Sequence, residues 1–278
     1  MKKFWKAANF RLKAGLIVTC IFMILGFVVY FFPHTDPFTF NTYPNNLGAS
    51  AEHWLGTTSM GQDVTWLLIE AIHNSLLIGL IVATIGTVVG VLVGLLAGFA
   101  GGALDRVLMV ITATFVVIPS LPILIMMTSL MKGGATVIVM ALVLALFAWA
   151  WPSRQIRSMA LTIKERDFIH TARFSGESTM QIVVTEILPF ALSWSLSNFM
   201  NATLSAIGSE SSLAVLGLSP GNLVSLGNMI QWARNYNAVL AKRWLWIGAP
   251  IVATVILFIG LFLLITGYND YQSMKRGR

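Results

Sequence analysis

Four histidines, one cysteine and eleven carboxylates are all that this 278-residue chain offers for metal or acid–base chemistry. His34, His53 and His73 stand near Asp36, Glu52 and Glu70, and imidazole beside carboxylate is a donor set that zinc or nickel takes. The spacings are long and fit no compact ligand motif, so they read as ordinary loop and helix-end histidines, and no metal site is expected. No histidine is followed by glutamate, so the H-E-x-x-H pattern of zinc hydrolases is missing. No lysine is followed by serine or threonine; the G-x-x-x-x-G-K-[ST] loop that cradles nucleotide phosphates is therefore missing too. Cys20 stands alone, which excludes an intrachain disulfide and a cysteine-based metal site. No catalytic residue is expected.

The elements around these groups explain their scarcity. Charged residues make up 10% of the chain and hydrophobic residues 56%, where a soluble domain carries roughly 25% charge. Such a chain belongs in a bilayer. Six apolar runs are near the 20 residues that a helix needs to cross the hydrocarbon: 14–32, 75–103, 107–131, 135–151, 190–209 and 244–266. Helices are expected because lipid offers no partner to an unpaired backbone group. The first run follows a basic tail at 1–13, but it is longer than a signal-peptide core and no A-x-A site follows it. It reads as a retained span.

Lysine and arginine orient the spans. With six crossings, 14 of the 18 basic residues fall on one side: five in the N-terminal tail, Arg106, five between Arg154 and Arg173, and three at the C-terminus. Only Lys132, Arg234, Lys242 and Arg243 fall on the other. The positive-inside rule puts both termini in the cytoplasm. The net charge of +7 is thus a topology signal and calls for no nucleic acid.

Inside the membrane, glycines at 86, 90, 94 and 98 share one face of the second run. That face permits close helix approach, either as static packing or as a sliding surface. Pro119 and Pro122 are expected to kink the third run and are candidates for a pathway or gate. Glu210, just past the fifth run, is a further candidate, expected at the outer interface. Ionisable residues are otherwise kept to the ends of the runs. An ion-coupled carrier would keep one at mid-membrane, so energy is expected to enter elsewhere.

The longest cytoplasmic stretch is 153–189. It reads as a helix over 164–174 with Phe168, Ile169 and Ala172 on one side, a break at Ser175-Gly176, and a capping box at 178–181. A second helix carries Met180, Val183, Val184 and Ile187 at i, i+3, i+4 and i+7, and Pro189 is expected to end it. On these residues alone the hairpin could lie on the inner leaflet or plug into a cytoplasmic partner.

Its residues resemble the EAA loop of ABC importer permeases, E-A-A-x-x-x-G followed by about nine residues and H-x-L-P. Ala172, Gly176, Leu188 and Pro189 match in register, while His170, Thr171 and Glu186 stand where the motif has Glu, Ala and His. The resemblance covers nearly the whole chain and is to the C-type permease of the dipeptide, oligopeptide and nickel importers. His34-Thr35-Asp36-Pro37 is similar to that family's Y-D-P. Residues 53–64 are similar to its H-x-L/F-G-T-D-x-x-G-R-D-V, with Thr58 and Gln62 replacing Asp and Arg. Residues 98–105, 211–218 and 226–229 resemble G-Y-x-G-G-x-x-D, A-x-L-S-F-L-G-L-G and W-G-N-M. The closing L-R-D-x-L-D-P is absent.

The resemblance implies an all-α membrane protein of the type I importer permease fold, with coupling helices between the fourth and fifth spans. The chain then divides into a tail, 1–13, and one permease domain, 14–278, with an extracytoplasmic segment at 33–74 and a coupling segment at 153–189. Within that segment Phe168, His170, Thr171, Ala172, Gly176, Met180, Glu186, Ile187, Leu188 and Pro189 are implied to meet an ATPase subunit. Gly176 would set the turn, Ala172 would keep the contact close, and Phe168, Met180 and Ile187 would anchor it. The chain itself would bind no cofactor; ATP and magnesium would sit on the ATPase. The implied partners are a B-type permease as heterodimer mate, two ABC ATPase subunits and an extracytoplasmic substrate-binding protein, in a bacterial or archaeal cytoplasmic membrane. The implied cargo is di- or oligopeptides first, nickel or a metal chelate second. Rival classes are an ion-coupled secondary carrier, a membrane enzyme and an assembly subunit.

Overall fold

A computed structural model describes residues 9–32, 36–130 and 136–276. Most of the described residues are helical, and the one extended pairing among them joins Thr57 to Asp63. Helix α1 runs Phe10–Phe27, with a 3-10 turn at Val29–Phe31. Asn9 caps it by accepting from the Leu12 amide at 2.9 Å. Helix α2 runs Val64–Ala100, and Asp63 caps it by accepting from the amides of Thr65 at 2.7 Å and Trp66 at 3.3 Å. At 1.5 Å per residue α2 is about 55 Å long, well beyond the hydrocarbon thickness.

The expected second run therefore begins eleven residues too late. Residues 64–72, apolar but for Thr65 and Glu70, and their cap extend the helix at its start, and Glu70 and His73 lie on it rather than before it. His73 bonds the Gly26 carbonyl at 2.7 Å through Nδ1 and stacks on Tyr30.

The third run is not one helix. α3, Gly102–Val117, and α4, Ser120–Leu130, meet at 77° across Ile118 and Pro119. Ile118 is extended, with ψ at 124°, as a residue before proline prefers. Pro122 bends nothing: it sits in the first turn of α4, where a missing N–H has no carbonyl to serve. The fourth run is also bent, by 41°, between α5, Val137–Ala148, and α6, Ala150–Lys164. Helix α6 carries on as far as Lys164, so the expected helix over 164–174 is shortened to α7, Asp167–Phe174.

A further correction concerns Pro189. The chain continues from α8, Thr179–Ile182, through a π-helical turn, Val183–Ile187, directly into α9, Leu188–Val215. Pro189 occupies the first turn of α9, where proline is tolerated, and ends no helix. α10, Leu226–Asn235, and α11, Trp244–Arg276, complete the chain.

By length and composition, α1, α2 and α11 can each cross a membrane, and each bent pair can serve as one more span. α2 is the central post. Its four-residue glycine stripe faces α5 and α6: a Cβ on Gly94 would lie 2.6 Å from the Ser153 carbonyl oxygen, and one on Gly98 2.7 Å from the Ala160 Cβ. Backbones that close gain dispersion contact along their length. α1 and α11 pair antiparallel, and Asn9 Nδ2 donates to Asp270 at 3.0 Å. The start of α1 and the last turns of α11 thus share one end of the described residues, where Arg157 meets Asp105.

Candidate coupling surface and membrane cavity

The segment from α7 to the π-helical turn is held by one buried stripe. Ile169, Ala172, Ile182 and Ile187 pack with Ile156, Ala160 and Ile163 of α6 and with Val91 and Leu95 of α2. Ala172 and Ile187 therefore face inward and fix the turn onto the helices. The turn has the geometry that a left-handed glycine permits. Gly176 has φ of +85°, its N–H donates to the Arg173 carbonyl at 3.0 Å, and the Glu177 N–H reaches the Ala172 carbonyl at 3.2 Å.

The outward side is made by other residues. His170 and Thr171 are exposed, and the Thr171 hydroxyl donates to the Asp167 carbonyl at 3.1 Å. Phe168 is 40% exposed and stacks on Phe190. Glu186 and Leu188 are half-buried, Pro189 is exposed, and the side chain of Met180 lies outside the described residues. Phe174, which the sequence reading passed over, is 92% exposed at the tip. Its signal was available: it is apolar, off the Ile169–Ala172 stripe, and directly before the Ser-Gly break.

This segment is tied to the membrane helices. Arg157 donates from Nε and Nη2 to the two carboxylate oxygens of Asp105 at 2.5 and 2.6 Å. That fork-to-fork geometry fixes direction as well as distance. Lys164 Nζ donates to the Phe99 carbonyl at 3.2 Å and lies over the Phe99 ring. The end of α2, the start of α3 and the shaft of α6 are thereby joined just above the projecting turn.

Within the helices, a cavity of about 320 Å³ lies between α9, α4 and the α5–α6 bend. α9 supplies Asn198, Asn201, Ser205 and Ser209; Ser120 and Trp151 stand opposite. Pro119, one residue before Ser120, makes the α3–α4 break that places Ser120 at the cavity. Pro122 and Glu210 are not part of this wall.

Glu210 is instead buried beneath the loop between α9 and α10. It accepts from Ser225 at 2.7 Å and Ser219 at 3.4 Å. Ser225 also caps α10 through the Asn228 amide at 3.1 Å. Asn228 Nδ2 donates to the carbonyls of Leu223 at 2.6 Å and Pro220 at 3.1 Å. From α2, Asn74 reaches the Val224 carbonyl at 2.8 Å, and Ser75 accepts from the Leu226 amide at 3.1 Å. This polar network clamps the loop onto α2 and α9.

Residues 53–64 are likewise held by internal hydrogen bonds. His53 Nδ1 contacts Asp63 at 2.6 Å while Asp63 caps α2, and Thr57 donates to the Pro44 carbonyl at 2.7 Å. Gly56 and Gly61 take positive φ. His34 lies outside the described residues.

Comparison with known proteins agrees with this architecture. Residues 90–276 match the family described as binding-protein-dependent transport system inner membrane component. The chain is 30% identical to the oligopeptide transport system permease protein OppC of Mycobacterium tuberculosis (strain H37Rv), covering 96% of this chain and 94% of that one. OppC of Lactococcus lactis subsp. cremoris is 26% identical over 95% of this chain and 90% of that one. The nickel transport system permease protein NikC of Escherichia coli K12 is 24% identical over 92% of each. Among solved structures, an inward-facing MetNI methionine ABC transporter chain superposes with a TM-score of 0.56 at 21% identity, covering 75% of this chain and 96% of that one. This chain therefore belongs to the inner membrane components of binding-protein-dependent transport systems, the permease subunits of ABC importers.

Proposed function

We propose that this permease carries di- or oligopeptides inward and takes its energy from a separate ATPase seated on the α7–α8 turn. The observation that carries this reading is the turn itself: its inner stripe is packed against α2 and α6, and its outer face presents His170, Thr171 and the almost fully exposed Phe174. An apolar ring held in water on a rigid turn is suited to a pocket on a partner. Rigid attachment to α6 and α2 lets movement of the turn become movement of the spans.

In this reading the chain crosses the membrane six times, α9 adding one crossing to the five that α1, α2, the two bent pairs and α11 can supply. Both termini and the coupling segment 153–189 are cytoplasmic. ATP and magnesium belong to two ATPase subunits. A B-type permease completes the pore, and a substrate-binding protein meets segments 33–74 and 218–243 from outside. The domain division is a short tail, 1–13, and one permease unit, 14–278. Peptide as cargo is supported by the OppC relatives; the NikC relative supports nickel or a metal chelate as the second reading.

The test is transport by the complex that co-purifies with this chain, reconstituted in proteoliposomes with its binding protein. Uptake of trialanine that requires ATP and persists without an ion gradient is expected. Uptake driven by a proton or sodium gradient in the absence of ATP overturns the reading in favour of a secondary carrier. Uptake of nickel without peptide transfers the cargo to the second reading.

A further inference from the structure

α9 is the least lipid-like of the long helices; Ser197 donates to Asn269 at 2.7 Å and Ser211 lies against Glu210, and its other hydroxyls divide into two groups. Ser193, Ser195, Thr203 and Ser212 donate to the carbonyl four residues earlier, at 2.7–3.3 Å. This is how a helix in lipid disposes of a hydroxyl. Asn201, Ser205 and Ser209 do not: among the described residues their side chains make no hydrogen bond, although the carbonyls behind Ser205 and Ser209 are placed as elsewhere on the helix. With Asn198 these residues fall at i, i+3, i+7 and i+11, one face of α9, and that face is the wall of the 320 Å³ cavity. Asn201 and Ser205 are exposed there. Unpaired amide and hydroxyl groups facing hydrocarbon would each carry a large desolvation penalty. The face is built for water or for a polar occupant.

The chemistry of the wall selects among occupants. Its side chains are neutral: amides and hydroxyls with aromatic and aliphatic neighbours such as Trp151, Phe147 and Leu124. A bare divalent cation giving up hydration seeks imidazole, thiolate or carboxylate, and this wall holds none of them. An asparagine amide presents one acceptor and a two-proton donor side by side, the complement of a peptide unit's N–H and C=O. Neutral groups also hold a passing peptide without trapping it, as a fixed charge in a low-dielectric site would.

We infer that Asn201, Ser205 and Ser209 line the substrate path and read the peptide backbone by hydrogen bonding, with Asn198 held in register by its 3.2 Å bond to Thr87 of α2. The inference rests on the peptide reading above and assigns the residues that make this half of the path selective for amide-rich cargo.

The experiment uses the reconstituted complex. If the wild-type complex fails to move trialanine, the peptide reading has failed, and this inference falls with it. If wild type moves trialanine, the double variant Asn201→Leu, Ser205→Val decides the inference alone. Its uptake is expected to fall about tenfold, the loss of two hydrogen bonds, with partial recovery in Asn201→Gln, Ser205→Thr. Uptake within twofold of wild type overturns the inference. Should the double variant not assemble with its ATPase, Asn201→Cys in a Cys20→Ala background decides. Modification by a water-soluble thiol reagent that trialanine slows is expected. Absent modification, as when another permease helix covers this face, or modification indifferent to trialanine, overturns it.

Discussion

Two residues show how narrowly the function depends on local geometry. Gly176 has φ of +85° with open space where a Cβ would point, so Gly176→Ala meets no neighbour but strains the backbone by about 1 kcal/mol. Transport by Gly176→Ala should stay within a fewfold of wild type. Proline cannot take this φ and would also lose the N–H bond to Arg173. Gly176→Pro should reach the membrane and lose coupled uptake, while ATP hydrolysis by the complex no longer responds to substrate; undiminished uptake would contradict the role given to the turn. Asn228 makes an opposite case. Its amide group is buried and satisfies two carbonyls of the loop. Asn228→Ala strands those acceptors at roughly 1–3 kcal/mol each, so the loop near 216–225 should become open to protease added to the purified complex. Proteolysis at the wild-type rate would show that the loop is held by something else.

At the scale of elements, α2 and α6 act as one body. The glycine stripe sets their distance, and the Lys164 bond to the Phe99 carbonyl ties the end of α6 to the end of α2. A side chain at Gly94 would press into Ser153 and Ile156, and overpacking of that kind costs about 1–3 kcal/mol. Gly94→Leu should lower the thermal midpoint in detergent and the yield of assembled complex, whereas the same change at Gly101, with nothing within 4 Å, should act only through its positive φ. A Gly94→Leu protein as stable as wild type would mean the helices are free to shift apart. The stripe was legible in the sequence because its four-residue period is a helix period. So was the break at Gly176, because serine-glycine closes helices. The inward facing of Ala172 and Ile187 was not legible: an amphipathic repeat fixes which residues share a face but not what covers it. The run-through at Pro189 was hidden for a related reason, since proline is equally at home after one helix and in the first turn of the next. Pro119 and Pro122 illustrate the same ambiguity, one marking a 77° break and the other an ordinary helix start.

For the whole molecule the question is which end faces the cytoplasm. The fold links the answer to a small set of positions. α1 begins beside Asp270 of α11, and α2 ends beside α6, so the start of α1, the last turns of α11, Arg106, Arg157 and the α7–α8 turn gather at one end. The polar network around Glu210 and Asn228, with Leu240 beyond it, marks the other. The positive-inside rule assigns the first of these ends to the cytoplasm, and a partner that hydrolyses ATP must also be there. A cysteine placed at Leu240, which is 82% exposed, in a Cys20→Ala background should react with an impermeant thiol reagent in intact spheroplasts. One placed at Ser175 on the turn should react only after the membrane is opened. If the two patterns were exchanged, Phe174 would point away from any ATPase and the coupling role of the turn would be lost. If both reacted from outside, the chain would cross the membrane an even number of times between them, and α9 could not be the crossing that brings the chain back out.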